Sequence, residues 1–484
     1  MTSLMNFILN EKYADNISIS TFKNDYTNKD LLQLSNEYIN LLKDYGDLKG
    51  KRVAILSPHP LSYFALIFAI NSAGGTVVPL NPLYKESDLT AVLTSAKPHL
   101  IFTVKELIGV SFLNIINNWI EDNSVKCTVF ESEDCFNWDA KDWTGKPTQL
   151  DEFKQHFMLF TSGSTGMPKG VMLSQEALFK NIEVISGMLN RQEGSSVVSI
   201  PPQTVGFGMV SILSGMRYGF RVGVPDMFDF PKIVDFMHRI SANKLVTTPS
   251  ILRGMYKLTQ HLQPEVFQNI KECFLAGEMV SEGEHDLYPL MSDTDFIGIY
   301  GITEGGGIMT CNVREGLEWQ VVNEIDYKIE DGEFVIKSLT VFSGYYNRPD
   351  LTKEVLTEDR WLLTGDLVRE TADGKLVIIG RKKDMIKKGG QQVIPYEIEE
   401  CLLEHSAVRQ VAVVGSNHEV YGEEIVAFVV LQEEIDGNGL YQHCTNKLAR
   451  FKVPDHIKII DDLPVVSGKA DKTTLRKLLQ GESE

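Results

Sequence analysis

The sequence predicts an α/β protein: a large region of parallel sheets and helices, followed by a small α+β unit. Three observations carry this. Strand-like and helix-like stretches alternate from residue 52 to 103 and again from 171 to 300, the pattern of parallel sheets covered by helices. After about residue 310 the pieces become short and alternating, which suggests antiparallel hairpins. A charged connector, Arg381-Lys382-Lys383-Asp384, then precedes a helix–strand–strand–helix stretch. The boundary is placed there, giving domains 1–380 and 381–484.

Residues 1–50 read as helical and polar, with Ile39, Leu41 and Leu42 as an apolar stripe. Arg52 to Leu56 is apolar and β-branched, hence a strand; Ser62 to Ser72 is a buried helix; Thr76 to Leu80 is a strand. Glu86 to Ser95 is a helix and Leu100 to Thr103 a strand. His156 to Phe160 reads as a buried strand and Val171 to Leu173 as a second one. Helices follow near 176–190, 208–217 and 231–241, with strands at 197–200, 221–224, 245–247, 272–275 and 295–300. Asp331-Gly332 breaks the pieces Asp326–Glu330 and Glu333–Lys337 into a hairpin, and Gly365 to Gly380 continues that texture. Beyond the connector, 395–404 and 440–450 read as helices and 408–414 and 425–431 as strands.

With 484 residues, 43% of them hydrophobic and 23% charged, the chain is an ordinary soluble globular protein with ample core. Its net charge of −18 argues against nucleic-acid binding through bulk electrostatics, which needs a basic face. Six scattered cysteines form no CxxC pair, so neither zinc spacing nor a disulfide framework is supported and a reducing cytoplasm fits best. The start lacks a signal-peptide layout, and the longest apolar piece, Tyr63 to Ile70, is too short for a transmembrane segment.

The most informative stretch lies between the strands at 156 and 171. Thr161-Ser162-Gly163-Ser164-Thr165-Gly166-Met167-Pro168-Lys169-Gly170 combines hydroxyls, glycines and a lysine. Glycines let backbone approach an anion, and hydroxyls and the ammonium add donors for phosphate oxygens. It is not a P-loop, because Pro168 precedes the lysine and Gly170 follows it. Taken alone it could be a flexible hairpin turn. Tyr300-Gly301-Ile302-Thr303-Glu304 sets a hydroxyl and a carboxylate at a strand's end, suited to phosphate and Mg²⁺. Leu363-Thr364-Gly365-Asp366 offers a carboxylate for two ribose hydroxyls, although Gly-Asp alone is usually a turn. Further motifs are Gly380 to Asp384 with Gly389-Gly390, then Phe451-Lys452-Val453-Pro454, and Leu463-Pro464-Val465-Val466-Ser467-Gly468-Lys469-Ala470-Asp471.

In this order, over nearly the whole chain, these motifs resemble the superfamily of adenylate-forming enzymes: acyl-CoA synthetases, firefly luciferases and the adenylation domains of nonribosomal peptide synthetases. The resemblance implies a large N-terminal domain of α/β subdomains with a small β-barrel, and a mobile C-terminal domain. It implies that Thr161, Ser162, Gly163, Ser164, Thr165, Gly166 and Lys169 hold the ATP phosphates, with Thr161 and Glu304 near Mg²⁺. Gly277, Glu278, Tyr300 and Gly301 would line the nucleotide site, Asp366 the ribose, and Arg381 would reach the nucleotide from the connector. Thr303, Glu304 and Lys469 would be catalytic, Lys469 bridging the acid and the α-phosphate. Lys383 would be the hinge, and Lys388, Gly389 and Gly390 would shape a thiol tunnel. The cofactors implied are ATP, Mg²⁺ and CoA, or the phosphopantetheine of a carrier protein.

The chain departs from the family at Thr204, where acyl-CoA synthetases often carry histidine and peptide-synthetase domains an aspartate for an α-amine. Without that carboxylate, an acid lacking an α-amine is expected, leaning towards a fatty or other apolar acid. The pocket is expected at Thr204, Val205, Phe207 and Gly306, with the run Gly305-Gly306-Gly307 leaving room for a bulky acid or forming a tight turn. The function expected is an acid–CoA ligase. The alternative is a free-standing adenylation enzyme loading an acyl or aryl acid onto a carrier protein. A non-catalytic binding module is disfavoured by Lys169, Glu304, Asp366 and Lys469, and nothing in the residues calls for a luciferase-like oxygenase.

Overall fold

The computed structural model describes residues 3–151, 156–161, 168–433, 435, 437–466 and 469–481, with backbone alone at Val465, Val466, Lys469 and Gln480. The chain forms two units. One comprises 1–317, 322–326 and 337–362; the other comprises 318–321, 327–336 and 363–484.

Two sheets build the first unit. In one, Phe157–Thr161, Thr76–Pro79, Arg52–Leu56, Leu100–Val104 and Cys127–Ser132 run parallel side by side. Antiparallel strands close it: Lys169–Leu173 and then Gly344–Tyr345 on one edge, Asp139–Trp143 on the other. In the other sheet, Ile17–Ser20, Arg221–Gly223, Ser196–Ser199, Lys244–Thr247, Glu272–Leu275 and Asp295–Ile302 are parallel neighbours, flanked by antiparallel Asp25–Thr27 and Gly306–Asn312. Most of the parallel strands are buried along their whole length, as strands covered by helices on both faces are. The helix Pro60–Ser72, expected from its unbroken apolar run, is buried on nearly every side, and its Ser62 meets Tyr38 of the helix Asn28–Lys43 at 3.1 Å.

The N-terminal fifty residues differ from expectation. Two strands, Ile17–Ser20 and Asp25–Thr27, precede the helix Asn28–Lys43. Ile17-Ser18-Ile19-Ser20 alternates with period two, but its parallel partner lies some two hundred residues away, at Val222 and Gly223. The helix starts at a capping box between Thr27 and Asp30 and buries Leu31, Ser35, Tyr38 and Leu42. Leu42 belongs to the expected stripe, whereas Ile39 and Leu41 are only partly buried. The reading also assigned no elements at Phe112–Asn123, Cys127–Ser132, Asp139–Trp143, Pro249–Thr259, Pro264–Asn269, His456–Ile459 and Lys472–Gly481.

In the second unit, Asp326–Glu330, Glu333–Lys337, Leu362–Glu370 and Leu376–Arg381 form a four-stranded sheet where the small barrel was expected. Asp331 and Gly332, both at positive φ, make its first turn. A second sheet centres on the long antiparallel pair Val408–His418 and Gly422–Leu431, with Ile386–Lys388, Gln391–Val393 and His456–Ile459 added. The helices Pro395–Leu403 and Gly437–Lys447 pack through Ile398, Leu402, Leu440 and Cys444 into the core beneath it.

His99 joins the starts of three parallel strands. Its backbone N–H donates to the Arg52 carbonyl, its Nδ1 accepts the Arg52 N–H at 3.0 Å, and its carbonyl accepts the Thr128 N–H. Burial, assisted by the Arg52 charge, lowers its pKa from 6.5 to about 4. The folded state thus favours the neutral ring. That stabilisation is complete above pH 6.5 and is lost as the pH falls towards 4. We expect acidification across this window to destabilise the fold through this residue. His99→Asn keeps an acceptor without the titration, so urea unfolding of that variant should vary less between pH 7 and pH 5 than that of the unmodified chain.

Candidate active site

Thr161 ends one strand of a hairpin and Lys169 begins the other, directly opposite. Phe157 and Met158 anchor the hairpin in the core, and Gly170 lets Met158 and Phe160 lie against its backbone. The mouth of the expected phosphate loop is therefore built on a rigid sheet. Ser162, Gly163, Ser164, Thr165 and Gly166, named above as phosphate ligands, lie outside the described residues.

Tyr300, Gly301, Thr303 and Glu304 follow along the strand Asp295–Ile302 and the turn after it. This strand returns as Gly306–Asn312, with Gly301 opposite Gly307 and Ile302 opposite Gly306. A Cβ at Gly301 would fall on the carbonyl oxygen of Gly306. Gly306, at φ +77°, sits against Asn181, where a Cβ would come within 2.6 Å of Oδ1. Gly307 donates its N–H to that same Oδ1 at 3.1 Å and packs on Ile185 and Met188. Gly306 and Gly307 let the helix Gln175–Met188 close against the hairpin.

Glu304 is held from outside the motif. Its Oε1 accepts the Tyr345 hydroxyl at 2.8 Å, and its backbone carbonyl accepts the Phe342 N–H at 2.8 Å. Thr340 Oγ1 donates to the Gly305 carbonyl at 2.6 Å. The same segment reaches the other sheet: Ser343 N–H donates to Met172 and Tyr346 N–H to Gly170. The Lys169 ammonium lies 5.2 Å from the centre of the Tyr345 ring, within cation–π range. Burial, with the Glu304 carboxylate beside it, raises the Tyr345 pKa, keeping the phenol a neutral donor. Sequence reasoning passed over this segment. The signal available was Gly344-Tyr345-Tyr346, an aromatic pair after a glycine in a polar stretch.

Nearby loops carry the other expected residues of this unit. Gly277 takes φ +82°. Glu278 accepts both the Ser250 N–H and the Ser250 hydroxyl, at 3.0 and 2.6 Å, which ties it to the start of the helix Pro249–Thr259. Thr204 is buried and its Oγ1 has no hydrogen-bond partner among the described residues, as is true of the neighbouring Gln203 Oε1. Gln203 Nε2 instead donates to the Ser57 and Pro58 carbonyls. Val205 is exposed and Phe207 half-buried at the start of the helix Gly206–Arg217. Of the expected acid-pocket residues, Thr204, Val205 and Phe207 thus share one loop and helix start.

In the second unit Asp366 and Arg381 are cross-strand partners, and their side chains pair at 2.5 Å. Lys383 is exposed in the turn Lys382–Asp384, flanked by pairs from Lys382 to Glu333 and from Asp384 to Arg476. Gly389 and Gly390, both at positive φ, make the turn between Ile386–Lys388 and Gln391–Val393. The Lys388 ammonium is committed to Asp455 at 2.6 Å, so at this turn the residue offers its backbone. Lys469 opens the short strand Lys469–Ala470, and its side chain lies outside the described residues.

Among the described residues no group of three or more His, Cys, Asp or Glu side chains forms a metal cage. The donors expected for Mg²⁺, the Thr161 hydroxyl and the Glu304 carboxylate, are hard oxygens. They suit an ion that keeps waters and binds one or two carboxylates plus substrate phosphates.

Residues 9–346 match the family model of the AMP-binding enzyme, and residues 397–469 that of the AMP-binding enzyme C-terminal domain. The chain is 26% identical over 529 residues to a long-chain-fatty-acid–CoA ligase of Bacillus subtilis, covering 98% of this chain and 93% of that one. It is 27% identical over 473 residues to a 2-succinylbenzoate–CoA ligase of Bacillus cereus, covering 91% and 90%. The fold matches ATP-bound MatB from Rhodopseudomonas palustris with a TM-score of 0.85 at 22% identity, over 100% of both chains.

Gly301→Ala tests how closely the Glu304 turn is packed. The added methyl would strike the Gly306 backbone, which has no rotamer to give. We expect a loss of about 1–3 kcal/mol, as for other overpacked sites, read as a lower melting temperature. The ATP-induced rise in melting temperature should shrink as well, because the turn that carries Glu304 must move.

Proposed function

This chain belongs to the AMP-binding enzyme family, and from that membership we propose that it is an ATP-dependent acid–CoA ligase. It activates a carboxylic acid as acyl-AMP, releasing pyrophosphate, and then passes the acyl group to the CoA thiol. The observation that supports this most directly is the joining of the Glu304 turn to the Thr161–Lys169 hairpin, which brings a carboxylate close to a phosphate-binding ammonium. Two CoA ligases among its relatives support the acceptor.

The division of labour follows from charge. The acid's carboxylate attacks the α-phosphorus, so two anions must meet. Lys169 and the loop it closes hold the phosphates, and Glu304 with Thr161 would hold Mg²⁺, which when bound offsets the phosphate charge. Tyr300, with Gly277 and Glu278, lines the adenine side, and Asp366 takes the ribose hydroxyls while Arg381 reaches the nucleotide. Lys469 bridges the incoming carboxylate and the α-phosphate as charge builds between them. A thiol then attacks the mixed anhydride and AMP leaves. The two steps need different groups at one carbonyl, so the C-terminal domain turns about Lys383 and presents the Lys388–Gly390 turn for the second.

The acid lacks an α-amine and has an apolar body, a fatty acid or another apolar acid. Thr204 supplies no counter-charge for an amine, and Val205 and Phe207 give the loop its apolar character. The described cysteines are free and buried, which fits a reducing cytoplasm.

The decisive measurement is pyrophosphate release across a panel of carboxylic acids, with CoA or a carrier protein as acceptor. Fatty or aryl acids should stimulate release, CoA should accept, and α-amino acids should be poor. Release by no acid at all would overturn the ligase reading. Lys469→Ala should lower kcat for adenylation by about 100-fold or more with little change in ATP affinity. It should still convert supplied acyl-AMP and CoA to thioester at a near-normal rate, and equal loss of both steps in a folded protein would remove Lys469 from this role. Thr204→Asp should admit α-amino acids weakly.

A further inference from the structure

We propose that Tyr345 is a positioning residue of the adenylation step: its hydroxyl fixes the Glu304 carboxylate and its ring face restrains the Lys169 ammonium, so one side chain sets the spacing between the metal ligand and the phosphate-binding cation. The inference rests on the ligase reading above and adds a residue to it.

Two contacts carry the proposal. The hydroxyl donates to Glu304 Oε1 at 2.8 Å, which engages one carboxylate oxygen and holds the side chain in one orientation. Lys169 Nζ lies 5.2 Å from the ring centre. A cation over a ring face is attracted without being paired, so the ammonium stays available to a phosphate. A carboxylate in place of Tyr345 would instead hold Lys169 in an ion pair.

The backbone is arranged to keep Tyr345 in place. Its N–H donates to Thr352 Oγ1 at 2.9 Å, and its strand pairs with Val171 and Met172 beside the loop. Gly344, at φ +141°, lies so close to Thr352 that a Cβ would come within 2.9 Å of it. The Phe342 ring meets the Tyr345 ring edge-on at 4.9 Å. Arg360 donates to the carbonyls of Val341 and Phe342, at 3.2 and 2.8 Å. Only 7% of the tyrosine is exposed, yet its two polar interactions both go to residues of the proposed site. A residue serving the core alone would not need a hydroxyl aimed at Glu304.

Tyr345→Phe removes the hydroxyl and keeps the ring; Tyr345→Leu removes both. For Tyr345→Phe the Mg²⁺ concentration giving half-maximal adenylation should rise about ten- to hundredfold, the scale of a lost hydrogen bond to a charged group. The KM for ATP at saturating Mg²⁺ should stay within about twofold. Calorimetry of Mn²⁺–ATP binding should show the same weakening without any turnover. Tyr345→Leu should in addition weaken ATP binding at saturating metal, because Lys169 loses its ring. In a Glu304→Gln background Tyr345→Phe should have little further effect on metal dependence. The proposal is overturned by unchanged metal dependence in a folded Tyr345→Phe protein. Effects that add fully to those of Glu304→Gln, or a uniform fall of every parameter with the melting temperature, would also overturn it. Failure of the ligase reading looks different: the unmodified chain would release no pyrophosphate with any acid, while the Mn²⁺–ATP titration would still report on Tyr345.

Discussion

Hydrogen bonds from residues 340–346, three from backbone N–H groups and one from the Thr340 hydroxyl, join the two sheets of the large unit where the phosphate-loop hairpin and the Glu304 turn meet. On one side Thr340 and Phe342 bind the carbonyls of Gly305 and Glu304; on the other Ser343 and Tyr346 bind those of Met172 and Gly170. Each bond contributes only about 0.5–1.5 kcal/mol net. Their value is geometric, because they hold elements of two different sheets at one separation. A reaction between two anions depends on cations and donors already in position, and preorganisation of that kind costs nothing further when charge develops.

The large unit also buries charges that are fully engaged with protein partners. Lys244 and Glu272 pair at 2.6 Å, with the ammonium also donating to the carbonyls of Leu189 and Asn190. Arg52 pairs with Asp151 and donates to the carbonyls of Ala96, Lys97 and Gln149. These groups are saturated and serve to tie loops to strand ends. Losing one partner of such a pair strands a buried charge, which typically costs about 3–5 kcal/mol. The polar atoms near Thr204 differ, since Thr204 Oγ1 and Gln203 Oε1 are buried without a hydrogen-bond partner among the described residues. Such atoms call for a water or a ligand group.

In the smaller unit three residues assigned to ligands already hold charged partners. Asp366 is paired with Arg381 and Lys388 with Asp455. A ribose at Asp366 must share the carboxylate with the guanidinium or displace it. Binding there would release Arg381 towards the nucleotide, which gives the two residues a common purpose.

The sequence alone was enough for the alternating architecture and for the family. Long apolar runs such as Tyr63–Ile70 can only be buried, and the motifs at Thr161–Gly170, Tyr300–Glu304 and Gly365-Asp366 declare themselves by residue type and order. What it could not supply was partnership across distance. Ile17–Ser20 read as part of a helical region because the strand it joins is some two hundred residues away. Gly306 and Gly307 read as either room or a tight turn, because the Asn181 and Ile185 they pack against lie on a helix far back in the chain. Tyr345 was invisible for the same reason: a tyrosine in a polar stretch carries no mark of what its hydroxyl will meet. Local pattern encodes whether a residue must be buried, whereas the identity of its neighbour is set only when the sheets close and the bonds of residues 340–346 bring Glu304 to the hydroxyl and Lys169 to the ring face of one tyrosine.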